Sequence, residues 1–198
     1  MSSSQPSPSE SRPDLDFGYV LKKAGSVFID DVVPLVLATL IAAALSIVTL
    51  GVLIGPMYAG LCSMVITRVR DGKSPQAGDV FSCMDRFWSF LGASIVLLLA
   101  IGLASITIIG GVLLAAIWLY VFPLMVDRHM GVFEAMRASK DVVVRSGFWQ
   151  HLVLVILLVA IGAIGHGPLA LLTIPFSVAV VLVAYLALEN KVAAGQTA

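Results

Sequence analysis

The groups in this chain best suited to acid–base or metal chemistry are few. Asp127, His129, Glu134 and Asp141 fall close together, His151 and His166 follow, and Cys62 and Cys83 stand alone. A carboxylate beside an imidazole can hold and deliver a proton, so the first four could in principle activate water for hydrolysis. Their company argues against it. Glu134, Arg137, Asp141 and Arg145 recur at i+3 and i+4 steps, the pattern of a solvated helix face carrying a ladder of opposite charges, worth only about 0.2–0.5 kcal/mol per pair. The cysteines lack CxxC spacing and a nearby histidine cluster, and read as two small unpaired residues. His151, just after Trp149-Gln150, reads as an interfacial histidine facing water or headgroups. His166 reads as a turn residue and His129 as solvated. There is no HExxH, no GxSxG and no Walker loop. The chain is therefore expected not to be an enzyme and to need no cofactor or metal.

Any such group must be positioned by elements of an unusual kind. The 198 residues are 59% hydrophobic and 12% charged, where a soluble domain carries about 25% charged residues. Mean hydropathy is +1.02. Every Lys, Arg, Asp and Glu lies outside three stretches, 32–67, 87–126 and 146–188. One crossing of the hydrocarbon takes about 20 apolar residues, so each stretch suits two helices and a tight turn. The predicted fold is an all-α integral membrane bundle of six transmembrane helices in three hairpins, each preceded by an amphipathic interfacial helix.

The predicted spans are 32–50, 52–67, 89–108, 112–126, 148–164 and 169–188. Gly51, Gly110-Gly111 and Gly165-His166-Gly167-Pro168 mark the turns. Gly55-Pro56, Pro123 and Pro175 mark opened or kinked helices. Gly51 and Gly55 form a GxxxG that straddles the turn and so reads as backbone geometry, not helix association. Before span 1, Phe17, Leu21, Ala24 and Phe28 make one helical stripe. Before span 3, Asp79 reads as an N-cap, with Val80, Met84, Phe87 and Leu91 as the apolar stripe. Before span 5, Val132, Phe133, Met136 and Val143 lie on one side of a helix over 131–145. Phe17, Phe28, Phe87, Trp88, Phe133 and Trp149 are the expected interfacial anchors. Amphipathic helix, aromatic, span, glycine turn and span thus recur three times as a weak internal repeat.

Segment 1–13 is Ser/Pro-rich and is expected to be a disordered tail. It lacks a basic region followed by an apolar one, so no cleaved signal is expected. The folded domain is expected over 14–190 and a short tail over 191–198. Under six spans every Lys and Arg falls on the side of the two termini and none in the three opposite turns. The bias of positive charge toward the cytoplasm then puts both termini there. The formal net charge is +0 and no basic stripe carries interleaved aromatics, so no nucleic-acid partner is expected.

Four segments carry a resemblance: GPMYAGL at 55–61, RVRDGKSPQAGDVF at 68–81, FPLMVDRHMG at 122–131 and FEAMRASKDVVVRSGFW at 133–149. In their order and spacing the chain resembles bacterial six-span membrane proteins of unknown function, related to the membrane domain fused to some glycerophosphodiester phosphodiesterases. The resemblance implies a six-span helical domain in a bacterial inner membrane. The phosphodiesterase activity belongs to a separate soluble domain, so no catalytic residue carries over. The expected role is non-enzymatic, accessory or envelope-associated. The expected partners are membrane lipids, with another membrane protein or a second copy of the chain beside them. The alternative is a transporter or channel for a small neutral or amphipathic solute, its cavity lined by Ser46, Tyr58, Ser105, Thr107, Tyr120 and Thr173.

Overall fold

The computed structural model describes residues 15–165 and 167–196. The expected disordered tail over 1–13 and the turn residue His166 lie outside the described residues. Among the described residues the regular structure is all helix, with no strand. Helices α1 (Phe17–Asp30), α2 (Val32–Val48) and α3 (Ile54–Asp71) are followed by two 3-10 turns, Ala77–Phe81 and Met84–Arg86. Then come α4 (Phe87–Ala104), α5 (Ile108–Ile117), α6 (Val121–Asp127), α7 (Val132–Ser146), α8 (Phe148–Ile164), a 3-10 turn at Gly167–Leu169, and α9 (Ala170–Gln196).

Local chemistry explains the boundaries. Asp16 Oδ1 accepts from Tyr19 N at 3.0 Å and starts α1, satisfying a donor that the helix leaves free. Gly72, at φ +69°, ends α3 in a left-handed turn that a side chain would strain. Glu134 Oε2 accepts from Gly131 N at the start of α7. Helix α1 meets α2 at 84° and α7 meets α8 at 110°. The second corner is made by Gly147 at φ +108°.

Three stretches are each long and apolar enough to cross a bilayer: Ala77–Ala104, Ile109–Asp127 and Gly167–Lys191. Counting each bent pair as one crossing raises the number to five. Helix α3 is outside this set because Arg68, Arg70 and Asp71 close it. Burial points the same way. Helix α2 buries one stripe, Leu35, Ala38, Thr39 and Ala42, and leaves Val33, Leu37, Leu40 and Ile47 exposed. Helix α4 buries Phe90, Ala93 and Leu97 and exposes Ile95, Leu98, Leu99 and Leu103. A helix apolar all round that buries a single stripe needs a second apolar medium around it, which fits a membrane-embedded protein.

Two elements form the centre. Helix α3 buries ten residues from Gly55 to Ile66. Helix α9 is buried almost without a break from Val178 to Leu188 and packs on α1, α2, α3 and α8. Close approach is made by glycine. A Cβ on Gly60 would sit 1.9 Å from Val80 O, and one on Gly55 would sit 2.5 Å from Phe90 O. Gly55 is therefore a helix-contact residue between α3 and α4, contrary to the turn reading of its GxxxG, whereas Gly51 at φ +89° does turn the chain.

Several expectations need correction. No amphipathic α-helix precedes α4. The two 3-10 turns stand there, because Val80 is drawn against the bare Gly60 backbone and Asp79 Oδ2 accepts from Gln76 N at 2.8 Å, which makes Asp79 the third residue of a turn and not an N-cap. The chain reverses at 105–107, not at Gly110-Gly111, where α5 is already helical. Those glycines instead let α5 return close to the end of α4: a Cβ would lie 2.7 Å from Ala104 O at Gly110 and 2.3 Å from Ser105 Oγ at Gly111. The expected fourth span is interrupted at 118–120. Pro123 accounts for it, since it has no N–H for the carbonyl of Leu119 and its ring crowds that carbonyl. The buried stripe of α1 is Val20, Ala24 and Val27, with Leu21 exposed. That of α7 is Ala135, Ser139, Val143 and Ser146, small residues that permit close packing. Among the described residues the α7 charge ladder forms no ion pair within 4.0 Å.

Candidate functional site

The break between α5 and α6 frees backbone groups in the interior, and Ser139 of α7 takes up two of them. Its hydroxyl donates to Ile117 O at 2.7 Å and accepts from Tyr120 N at 3.2 Å. Ser139 is 0% exposed, so these bonds stand in for water that cannot reach the break. The stitch holds Tyr120, also fully buried, at the first position before α6.

Tyr120 faces two rings. His151 of α8 lies 5.4 Å away, edge to face, and Tyr185 of α9 lies 5.9 Å away. His151 is fully buried, which overturns its reading as an interfacial histidine: the corner at Gly147 turns the first face of α8 inward. Its Nδ1 lies 2.9 Å from Gly147 O. A carbonyl only accepts, so Nδ1 carries the hydrogen and Nε2 is left as an acceptor. Among the described residues neither His151 Nε2 nor Tyr120 Oη has a hydrogen-bond partner. A buried polar atom left so costs about 1–3 kcal/mol.

From Tyr185 the polar contacts run to the charged end. Tyr185 Oη donates to Asp127 Oδ2 at 2.9 Å. Asp127, its side chain 5% exposed, pairs with Arg70, which also reaches Glu189 Oε2 at 2.8 Å. Glu189 meets Arg128 at 3.3 Å. The hydrogen bond from Arg70 to Asp127 holds the guanidinium above its ordinary pKa. Burial pushes the Asp127 carboxyl up, and the bonds from Arg70 and Tyr185 outweigh it and leave that carboxyl below its ordinary value. At the corner of α1 and α2, Arg68 Nε lies 2.6 Å from Asp31 Oδ2 and Arg68 Nη2 lies 3.5 Å from Asp30. The approach to Asp31 is off the hydrogen-bond axis, since Oδ2 counts no hydrogen-bond partner, and is a contact of charges. Arg86 gathers Met125 O and Met130 O at 2.8 and 3.0 Å and lies over the Phe90 ring. The ends of α2, α3, α6 and α9 thus meet at one level.

The expected acid–base group does not assemble. Asp127 belongs to the ion-paired set, Glu134 caps α7, Asp141 is exposed, and His129 is exposed at φ +53° with Nδ1 near Arg86. Of the residues proposed to line a solute cavity, Tyr58 and Thr173 share a cleft of about 300 Å³ with Leu158, Gly162 and Ser177. Ser105 and Thr107 are exposed at the α4–α5 reversal, Ser46 lies in the last turn of α2, and Tyr120 is enclosed.

The six aromatic residues divide. Trp88, Phe133 and Trp149 are 80%, 68% and 76% exposed. Phe17, Phe28 and Phe87 are half-buried, and Phe28 packs edge-on against Phe176 at 5.8 Å. Among the turn and kink residues, Pro56 is buried in the first turn of α3 and Pro175 lies inside α9. Gly167, at φ +63°, and Pro168 belong to the 3-10 turn before α9. Gly165 ends α8 close against Thr173. The interior pair Tyr120–His151 and the Asp127–Tyr185 contact were missed from sequence. The one signal was a histidine inside a charge-free stretch, which in a membrane is costly enough to point inward. The chain matches no protein-family model, no curated protein and no solved structure.

Proposed function

We propose that this chain is a six-span bacterial inner-membrane protein with both termini cytoplasmic, related to the membrane domains it resembles, that acts by contact with lipid and with another membrane protein or a second copy, without catalysing a reaction. One observation carries the topology. Residues 30–31, 68–70, 127–128 and 189 join in ion pairs or in adjoining helix ends, while between them run the charge-free stretches 32–67, 87–126 and 146–188, each long enough to go out and back. Three returns to one side favour six crossings. The 110° corner turns α7 away from the line of α8, and exposed Phe133 and Trp149 on the two sides of that corner suit the headgroup region. Contact surfaces of this kind favour the accessory role.

The topology is tested by thiol labelling in a Cys62→Ala/Cys83→Ala background. Leu169→Cys is expected to react only from the outer side and Gly78→Cys only from the cytoplasmic side. Labelling of both from one side removes the six-span reading. Native mass spectrometry of the protein in mild detergent tests the role, which requires a reproducibly bound protein. A second reading, transport of a small neutral or amphipathic solute, is favoured by the cleft at Tyr58 and Thr173 and by the interrupted α5–α6, since broken spans line solute sites in several transporter folds. A bound metabolite with no protein would shift the assignment to it.

A further inference from the structure

Tyr120 and His151 are buried rings in contact whose polar atoms have complementary chemistry. The phenol O–H is a donor without an acceptor, and Nε2 is an acceptor without a donor, its tautomer set by the Nδ1–H bond to Gly147 O at 2.9 Å. Both residues are fully buried. The rings stand perpendicular with centroids 5.4 Å apart. A group that satisfies both must accept from the phenol and donate to the imidazole, and it must be neutral, since neither atom offers a charge. A hydroxyl does this and a carbonyl, carboxylate or ammonium does not. Buried waters bind where two or more polar partners converge.

We infer that Tyr120 Oη and His151 Nε2 form an interior binding site for one neutral hydroxyl group, supplied by a water molecule or by the alcohol of a small solute. The fold builds the site on purpose-shaped parts. The helix break presents Tyr120, Ser139 holds the break closed by its two bonds, and the glycine corner turns His151 inward. Asp127, reached from Tyr120 by way of Tyr185, is engaged by Tyr185 and Arg70. The inference stands apart from the number of spans and from the accessory role.

The test uses the full chain in lipid nanodiscs with ¹⁵N-labelled histidine, in a His129→Asn/His166→Asn background so that only His151 reports. The expected spectrum has a protonated Nδ1 and a hydrogen-bonded, unprotonated Nε2, with transfer of magnetisation from a slowly exchanging water or alcohol proton to the ring. Tyr120→Phe is expected to lose that transfer and keep the Nδ1 bond. Glycerol is the probe for source: displacement of the water signal assigns the site to a solute hydroxyl, and indifference assigns it to a structural water. A direct bond from the Tyr120 hydroxyl to Nε2, or a bare Nε2 with no hydroxyl contact in the unmutated pair, overturns the inference, and both are read without relying on the variant to fold.

Discussion

The two ends of this molecule bury their apolar surface to different extents. At the charged end, α3, α6, α7 and the second half of α9 close around one another with glycine and serine at the contacts and ion pairs at the rim. At the turn end the ends of α2, α4, α5 and α8 carry exposed Ile47, Val48, Leu103, Ile109 and Ile164, and the cleft at Tyr58 and Thr173 opens between α3, α8 and α9. Helix α9 passes from one regime to the other within its length, with Leu172 and Ile174 exposed and Val178 to Leu186 buried. Small residues let backbones approach at both ends, Gly60 against Val80 at one and Gly110 against Ala104 at the other, which is how helices associate where burial from water supplies no driving force. What differs is how much of the apolar surface of the helix ends is buried.

That contrast predicts a gradient of mutational effects. The largest belongs to Gly60→Ala, whose Cβ would meet Val80 O at 1.9 Å; a loss of about 3 kcal/mol is expected, read as a fall in the unfolding midpoint in detergent. Should Gly60→Ala be neutral, the close packing of the charged end is wrong. Asp127→Ala comes next. It leaves Tyr185 Oη without its acceptor and Arg70 with Glu189 alone, for about 2 kcal/mol, discounted because Arg70 is half exposed to solvent. Ser139→Ala is expected to cost about 1.5 kcal/mol by stranding Ile117 O and Tyr120 N, and hydrogen exchange at Tyr120 should quicken with it. The smallest effect has the opposite sign. Gly102 lies on α4 with nothing within 4 Å of a Cβ, so Gly102→Ala should stabilise by about 0.5–1 kcal/mol. A destabilising result there would mean that the turn end is packed after all, by a partner.

Legibility in the sequence followed the same division. Boundaries set by single residues were readable: Gly51 turns the chain, and α8 occupies 148–164 as expected. What depended on contacts across the bundle was not. A glycine pair looks like a turn in one dimension, yet Gly110 and Gly111 are helical and serve a neighbour. The second interfacial helix failed because Gly60, twenty residues upstream, decides what Val80 can do. The interior pair was hidden for a related reason: the periodicity of an all-apolar helix does not say which face turns inward, so His151 carried no directional mark. Pro123 did carry one, placing a fault four residues before it, and read with that offset it gives the break at 118–120.

The position of α9 has a consequence for how the protein is made. It is synthesised after α1, α2, α3 and α8, the helices that enclose it. Those four cannot close as they leave the ribosome, because their shared centre is still missing. Until α9 arrives, Asp127 lacks Tyr185 and Arg70 lacks Glu189, and the half-made bundle holds an open slot edged with unshielded polar groups. Such an intermediate is a natural client for an insertase or a quality-control protease, and a ribosome stalled between residues 165 and 190 would present it for capture.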